Sequence, residues 1–591
     1  MSHKPTPEQQ AVIDAYAAGE SLVVVAVAGA GKTTTLKMAA NATGRRALYV
    51  AYNKALAEDA KASMPPTVEC RTAHSLAYRE VGWQYKHRLG GKRLSGRAIA
   101  ELMYAGGRIG ATRVLNSPVD IGIGIPLRQG TIASLAMETV KRWCFSADPA
   151  ITIRHLPHRD GITGLARQAL ADIVLPIADL AWKDLIHPSG KLPFIADHYL
   201  KLWALSEPRI PYGSILFDEA QDANKVLTKI LTDQRDAQLV AVGDPCQQLY
   251  AWRGSVDALA TWPADRRLAL SQSFRFGPAV AGRANVWLDL LNAETRVVGA
   301  PWIDSRVAMV DQPDAILCRT NAGAMKAVMD RLAGDAGTRV HLVGGGDAIR
   351  RLAEAADQLQ HGEPCDHPEL IAFSDWAEVQ EYVMEADGSD LAPLVKLVDE
   401  YGTGAIIAAA EQLAPKAGDA DLIVSTGHKS KGLQWPAVQT GPDFKEPQPR
   451  PWPTPDSPRK AIVLQRGELM LGYVAVTRAE QLLDDASVAW AGRVSGWGFP
   501  VVVVGEDGRP VTGHPVGVDG APSDALRAAT AVTPTPPVLV EPCEAGGWLS
   551  AVCLRCHQPW RECECRLGPD RWRSGLSETE FTARVASLVA A

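Results

Sequence analysis

Residues 21–44 read SLVVVAVAGAGKTTTLKMAANATG. A short β-branched apolar run gives way to small residues and then to a helical stretch, so the pattern predicts strand, loop and helix in that order. A second apolar run, Ile215–Leu216–Phe217 in YGSILFDEAQDANKV, ends directly on Asp218 and Glu219. It predicts another strand, with two carboxylates delivered at its end. The longest early apolar stretch, SLVVVAVAGAG, is too short to span a bilayer. KEPQPRPWPTPDSPRK (445–460) holds six prolines and predicts an extended loop, and AATAVTPTPPVLVEP reads as an extended linker.

Composition adds bounds to this pattern. At 591 residues, 46% hydrophobic and 22% charged, the chain is expected to form several structural units of ordinary globular type. Its start, MSHKPTPEQQ, lacks the layout of a signal peptide, so a cytoplasmic location without a membrane partner is expected. The formal charge of −6 argues against a generally basic nucleic-acid coat, though it says little about a single groove. Between Arg79 and Arg113 the balance reverses: Arg79, Lys86, Arg88, Lys92, Arg93, Arg97, Arg108 and Arg113 face only Glu80 and Glu101. Five of the ten cysteines fall in the last 50 residues. Cys553, Cys556, Cys563 and Cys565 have the spacing C-x2-C-x6-C-x-C, which suits a structural zinc site, with Cys543 and His557 as reserve ligands.

The stretch AVAGAGKT matches a phosphate cradle except that Ala26 stands at the first glycine position. Backbone N–H groups do the binding, so a methyl is tolerated there if φ stays negative. The cradle is expected to comprise Ala28, Gly29, Ala30, Gly31, Lys32, Thr33 and Thr34. Lys32 would reach the β- and γ-phosphates of a nucleoside triphosphate, and Thr33 with Asp218 would hold Mg²⁺. Glu219 would deprotonate an attacking water, so hydrolysis is favoured over transfer.

DEAQD resembles the second motif of UvrD-type superfamily 1 helicases, and other motifs follow in the family's order. PTPEQQAVI, LYVAYNKALAEDA, RTAHSLAY, AVGDPCQQLYAWRGS, LSQSFRFG, STGHKSKGLQWPAV and LGYVAVTRAE all lie between roughly residues 5 and 490. YNKALAEDA, DHYLKLWALSEP and QSFRFG look most like the F-box DNA helicase branch and its phage and bacterial relatives, without an F-box segment. The resemblance implies that Gln9 contacts adenine, Phe274 stacks on it, and Gln247, Arg275 and Arg478 sense the γ-phosphate. It places Tyr52, Asn53, His74, Tyr250, Trp252, Arg253 and His428 on single-stranded DNA. The family's glutamate after KGL is Gln434 here, which predicts retained ATP binding with weaker ribose discrimination.

The implied fold is α/β: two RecA-like lobes, each a parallel sheet flanked by helices and each with a mostly helical insertion. The expected divisions are 1–78 and 205–290 for the first lobe, 79–204 for its DNA-facing insertion, 291–340 and 420–500 for the second lobe, and 341–420 for its short insertion. A linker (501–540) and a zinc-binding tail (541–591) complete the chain. The implied activity is an ATP-dependent DNA helicase or translocase, moving 3′→5′ on single strands and at junctions, near the nucleoid of a bacterial or phage-infected cell. The rival expectations are a translocase that displaces proteins with little unwinding, an ATP-gated clamp recruiting a partner through the tail, and RNA as the strand.

Overall fold

The computed structural model describes residues 4–91, 94, 96–105, 127–159, 162–249, 257–334, 337–367, 369–370, 373–384, 391–452, 459–505, 508–511, 539–541 and 550–552. Six strands form the first sheet: β1 (Leu22–Ala26), β2 (Ala47–Ala51), β3 (Val68–Thr72), β4 (Ser214–Phe217), β5 (Gln238–Gly243) and β6 (Arg266–Leu270). Their order is β3-β2-β4-β5-β1-β6 and every pairing is parallel. Helices cover both faces, which is why β1 and β4 read as continuous apolar runs rather than alternating ones.

The second sheet starts with β7 (Arg306–Val307), β8 (Ala315–Cys318), β9 (Val340–Leu342), β10 (Leu422–Thr426) and β11 (Trp435–Thr440). The chain then leaves through β12 (Arg450–Trp452) and β13 (Arg459–Gln465), returns as β14 (Ala479–Asp484), and continues to β15 (Val501–Val504). The sheet order is β7-β14-β11-β8-β10-β9, again all parallel. These are the two RecA-like lobes expected from the motif order.

Three details differ from the sequence reading. The proline-rich stretch is not loop throughout, because β12 pairs antiparallel with β13 and β13 pairs parallel with β15. Val501–Val504, assigned to a linker, is therefore a buried strand. Four consecutive valines beside a partner strand gain more from burial than from exposure as linker. The helix Pro278–Leu290, assigned to the first lobe, packs against the helix Arg466–Val476 of the second. The approach is close enough that a Cβ on Gly472 would fall 2.4 Å from the Trp287 ring.

The first insertion is helical among its described residues, with Gln129–Phe145 packed between Gly96–Ala105 and Gly164–Ile186. Arg88, counted in the basic patch, does not face solvent. Its guanidinium donates to Leu185 O (2.7 Å), His187 O (2.6 Å) and Leu192 O (2.9 Å), satisfying carbonyls around the end of the long helix. Arg97 pairs with Glu101, and Arg79 lies by Glu80 and Glu69. Lys92, Arg93, Arg108 and Arg113 lie outside the described residues. Among its described residues the second insertion has four α-helices, Asp347–Gln360, Trp376–Met384, Ala392–Tyr401 and Thr403–Glu411, sharing a core with β9 and β10. No helix among the described residues is long and apolar enough to cross a membrane.

Candidate nucleotide site and nucleic-acid contacts

β1 ends at Ala26, whose side chain is fully buried and whose φ is not positive, so the alanine is absorbed by the core. The turn that follows depends on two glycines in the left-handed region, Gly29 (φ 73°) and Gly31 (φ 72°). Gly29 has a second constraint: a Cβ there would lie 2.5 Å from Ser273 Oγ. Gly31 caps the helix Lys32–Thr43, so the helix N-terminus opens into a cleft of about 430 Å³. Ala30, Gly31, Lys32, Thr33 and Thr34 line that cleft, whereas the Ala28 N–H donates to Tyr473 Oη at 3.1 Å.

Asp218 and Glu219 follow β4, two strands from β1 across β5, at the same carboxyl edge of the sheet. Glu219 is held in the left-handed region (φ 53°), a strained conformation for a non-glycine residue that turns its side chain toward the cradle. Lys32 Nζ meets Glu219 Oε1 at 3.0 Å. Burial pulls the Lys32 ammonium down, but Glu219, Asp244 and Asp218 outweigh it and its pKa stands above the ordinary value. Burial also acts on Glu219, raising its carboxyl, yet Lys32 and Lys431 bring it down to about 2. Asp218 is pushed up, first by burial and then by Glu219. Asp218 Oδ2 accepts from Thr33 Oγ1 (2.6 Å) and Tyr49 Oη (2.7 Å). The adjacent Thr33 hydroxyl and Asp218 carboxylate oxygens are hard donors that fit a divalent cation, whose charge would offset the burial that disfavours the ionised carboxylate. No group of three or more His, Cys, Asp or Glu among the described residues forms a metal site of its own.

The second lobe closes the cleft. Arg478 is 1% exposed and donates to Val474 O (2.9 Å), Thr477 Oγ1 (3.0 Å), Leu433 O (3.3 Å) and Gln247 Oε1 (3.4 Å). All four acceptors are neutral. Burial, followed by the nearby Arg275, drives its pKa well below the usual guanidinium value. Arg275 reaches across the lobes to Gln434 Oε1 (2.7 Å) and Thr477 O (3.0 Å). Phe274 lies at the cleft beside Gly31. Gln9 is buried there too, but its amide is partly committed: Oε1 accepts from the Thr6 N–H and Nε2 donates to Thr35 Oγ1.

Gln434 has a neighbour that the sequence did not indicate. Its Nε2 donates to Glu480 Oε1 at 2.6 Å while its Oε1 accepts from Arg275. Gln434→Glu would bring two carboxylates into contact and raise one pKa. The expected result is a preference for ATP over dATP, read as a ratio of KM values, that rises as pH increases from about 5 to about 7. A ratio equal to that of the native protein at every pH would remove Gln434 from the ribose.

Several functional contacts were missed. Lys431 pairs with Asp222 and donates to Gln247 O at 2.6 Å. Asp222 is pushed up to about 6, chiefly by burial. Tyr473 Oη donates to Asp244 Oδ2 at 3.2 Å while accepting from the cradle's Ala28. The available signal was a charged or hydroxyl-bearing residue within an otherwise small or apolar motif, such as the tyrosine of LMLGYVAV.

The expected strand contacts are only partly brought together. Tyr52 and Asn53 lie at the nucleotide cleft, where Asn53 Oδ1 caps the helix Lys54–Ser63 by accepting from Leu56 N. His74 Nε2 is paired with Asp197 Oδ1 at 3.1 Å. His428 is half-buried, and burial followed by Arg319 lowers its pKa. Tyr250, Trp252, Arg253 and the four tail cysteines lie outside the described residues, as do Cys543 and His557.

Fold and site together define a two-lobed P-loop nucleotide-binding protein. A family profile described as an AAA domain matches residues 8–253. The chain is 31% identical over 519 residues to F-box DNA helicase protein 1 of Schizosaccharomyces pombe, covering 81% of this chain and 57% of that protein. It is 29% identical over 522 residues to F-box DNA helicase 1 of Gallus gallus, covering 81% and 49%. The chain thus spans about half the length of the curated relatives it matches. The crystal structure of the Pif1 helicase from Candida albicans is matched at a TM-score of 0.24 and 14% identity, over 56% of this chain and 54% of that one, too distant to argue from. Over most of its own length the chain is thus similar to F-box DNA helicases.

Proposed function

We propose that the chain is an ATP-driven DNA motor that translocates 3′→5′ along single strands and opens junctions during replication, repair or recombination. The observation that carries this reading is Arg478. It is a buried cation of the second lobe with only neutral hydrogen-bond acceptors, facing a cleft whose Lys32 and Glu219 belong to the first. Glu219 and Asp244 act on the guanidinium only from a distance, and a γ-phosphate would supply a directly bonded anion, so binding and loss of that phosphate would change how the lobes meet. Mg²⁺, held through Thr33 and Asp218, would neutralise phosphate charge when bound.

The residues of the chain divide the remaining work. The helix N-terminus and Lys32 hold the phosphates. Arg275 comes from the first lobe and Arg478 from the second, and Gln247, bonded to both Asp244 and Arg478, links first-lobe carboxylate to second-lobe cation. Glu219 orients a water and takes its proton once Lys32 has moved to phosphate. The names of the two relatives support DNA as the strand. A tail that binds zinc through Cys553, Cys556, Cys563 and Cys565 would add a docking module for a protein partner.

The deciding experiment is ATP turnover with and without single-stranded DNA, with Lys32→Ala as the blank. Strong stimulation by DNA, abolished in Lys32→Ala, is expected. Turnover indifferent to bound DNA would replace the motor with a clamp.

A further inference from the structure

The segment carrying Phe274 is zipped to a later one. Val298 N donates to Ser271 O (2.9 Å), Ser273 N to Val298 O (2.8 Å) and Ala300 N to Phe276 O (2.9 Å). The two backbones nearly touch: a Cβ on Gly299 would sit 2.4 Å from the Gly277 carbonyl, and one on Gly277 would sit 2.0 Å from Ile303 O. Glycine at both positions is what allows this approach. Ser305 Oγ then accepts from Ala279 N at 3.2 Å, fixing the far end of the segment.

This rigid pairing holds two large rings beside each other in solvent. Phe274 is 40% exposed and Trp302 66% exposed, with ring centroids 6.2 Å apart and planes inclined by 41°. An exposed tryptophan forgoes the burial that its size would otherwise provide. Phe274 stands at the mouth of the phosphate cradle, its ring 3.7 Å from where a Cβ of Gly31 would be, and Trp302 adjoins it as a second ring. The Gln9 amide at this end of the cleft already makes one hydrogen bond on each polar atom, which leaves one donor and one acceptor site for a base.

We propose that Trp302 is a base-binding residue of the nucleotide site, forming with Phe274 a two-ring platform that receives the nucleobase. The inference rests on the reading of the cleft as a nucleoside triphosphate site. The occupant is the base of the nucleotide rather than a base of the DNA strand, because Phe274 abuts the cradle itself. Flat aromatic surface suits a base through stacking and needs no particular hydrogen-bond pattern. Trp302 is then an affinity residue with no part in the chemistry.

The test is competition of ADP and of inorganic tripolyphosphate against a fluorescent ADP analogue bound to the full chain. Tripolyphosphate has no base and reports on the cradle alone. Trp302→Ala is expected to weaken ADP about five- to tenfold while leaving tripolyphosphate within about twofold, and Trp302→Phe to recover most of the ADP affinity. ADP affinity unchanged in Trp302→Ala would overturn the proposal. So would equal weakening of ADP and tripolyphosphate, which signals general distortion. Loss of oligo-dT binding with ADP untouched would assign the platform to the strand instead. If the native chain binds neither competitor and Lys32→Ala changes nothing, the nucleotide reading itself falls, a result distinct from the others.

Discussion

Replacing Arg478 with alanine is expected to reduce ATP turnover by about 10³–10⁵-fold while nucleotide binding falls far less, the range associated with an arginine that meets transition-state charge. The physical ground is the unusual position of this cation. Its guanidinium is buried, its acceptors are neutral oxygens, and burial with Arg275 nearby disfavours its charged form. A group that costs this much to bury gains most when an anion arrives beside it. Arg478→Lys separates charge from geometry. Lysine keeps the charge but not the planar fork that spans Val474 O, Thr477 Oγ1 and Gln247 Oε1, so its turnover should stay close to that of alanine. Steady-state turnover alongside equilibrium binding of ADP decides the matter, with melting temperatures recorded because the side chain also packs. Turnover in Arg478→Lys within about threefold of the native rate would show that charge alone suffices and that the fork has no special role.

Glu219→Gln is expected to lower kcat by about 10²–10⁴-fold, the usual contribution of a general base, without weakening ATP binding. Binding should even tighten. In the structure Lys32 is committed to Glu219 at 3.0 Å, and phosphates must compete with that carboxylate for the ammonium. The neutral amide of glutamine is a weaker competitor. The same pair explains why Glu219, held down at about 2, is a poor base before substrate arrives. Once Lys32 turns to phosphate, the cation chiefly responsible for that depression is withdrawn and the carboxylate moves back toward its ordinary pKa. A variant whose kcat is reduced less than tenfold would transfer the base role elsewhere. One whose ATP affinity drops sharply would make Glu219 a binding residue instead.

Some of this protein was legible in its residue order. The cradle could be read because strand, turn and helix are contiguous, and the binding groups are backbone N–H whose placement needs only small residues at Gly29 and Gly31. Asp218 and Glu219 could be read because an apolar strand ends directly on them. The two parallel sheets followed from motifs in a familiar order. By contrast, Arg88 looked like one more exposed cation of a basic patch and is in fact bonded to carbonyls around a helix terminus 97 to 104 positions away. The four valines after residue 500 looked like the start of a linker until β13 supplied them with a partner.

By itself, then, the sequence determined the local chemistry: a phosphate cradle, a pair of acids at a strand end, and arginines suited to phosphate, each set within a few consecutive residues. The tertiary structure alone decided how the two lobes are joined. Tyr473 reaches the Ala28 N–H across 445 positions, Lys431 pairs with Asp222 across 209, and Arg275 bonds Thr477 O across 202. Such contacts depend on where two separately folded sheets come to rest against each other. That placement follows from the packing of many buried side chains together, such as Trp287 against the open face of Gly472, and no short stretch of chain encodes it.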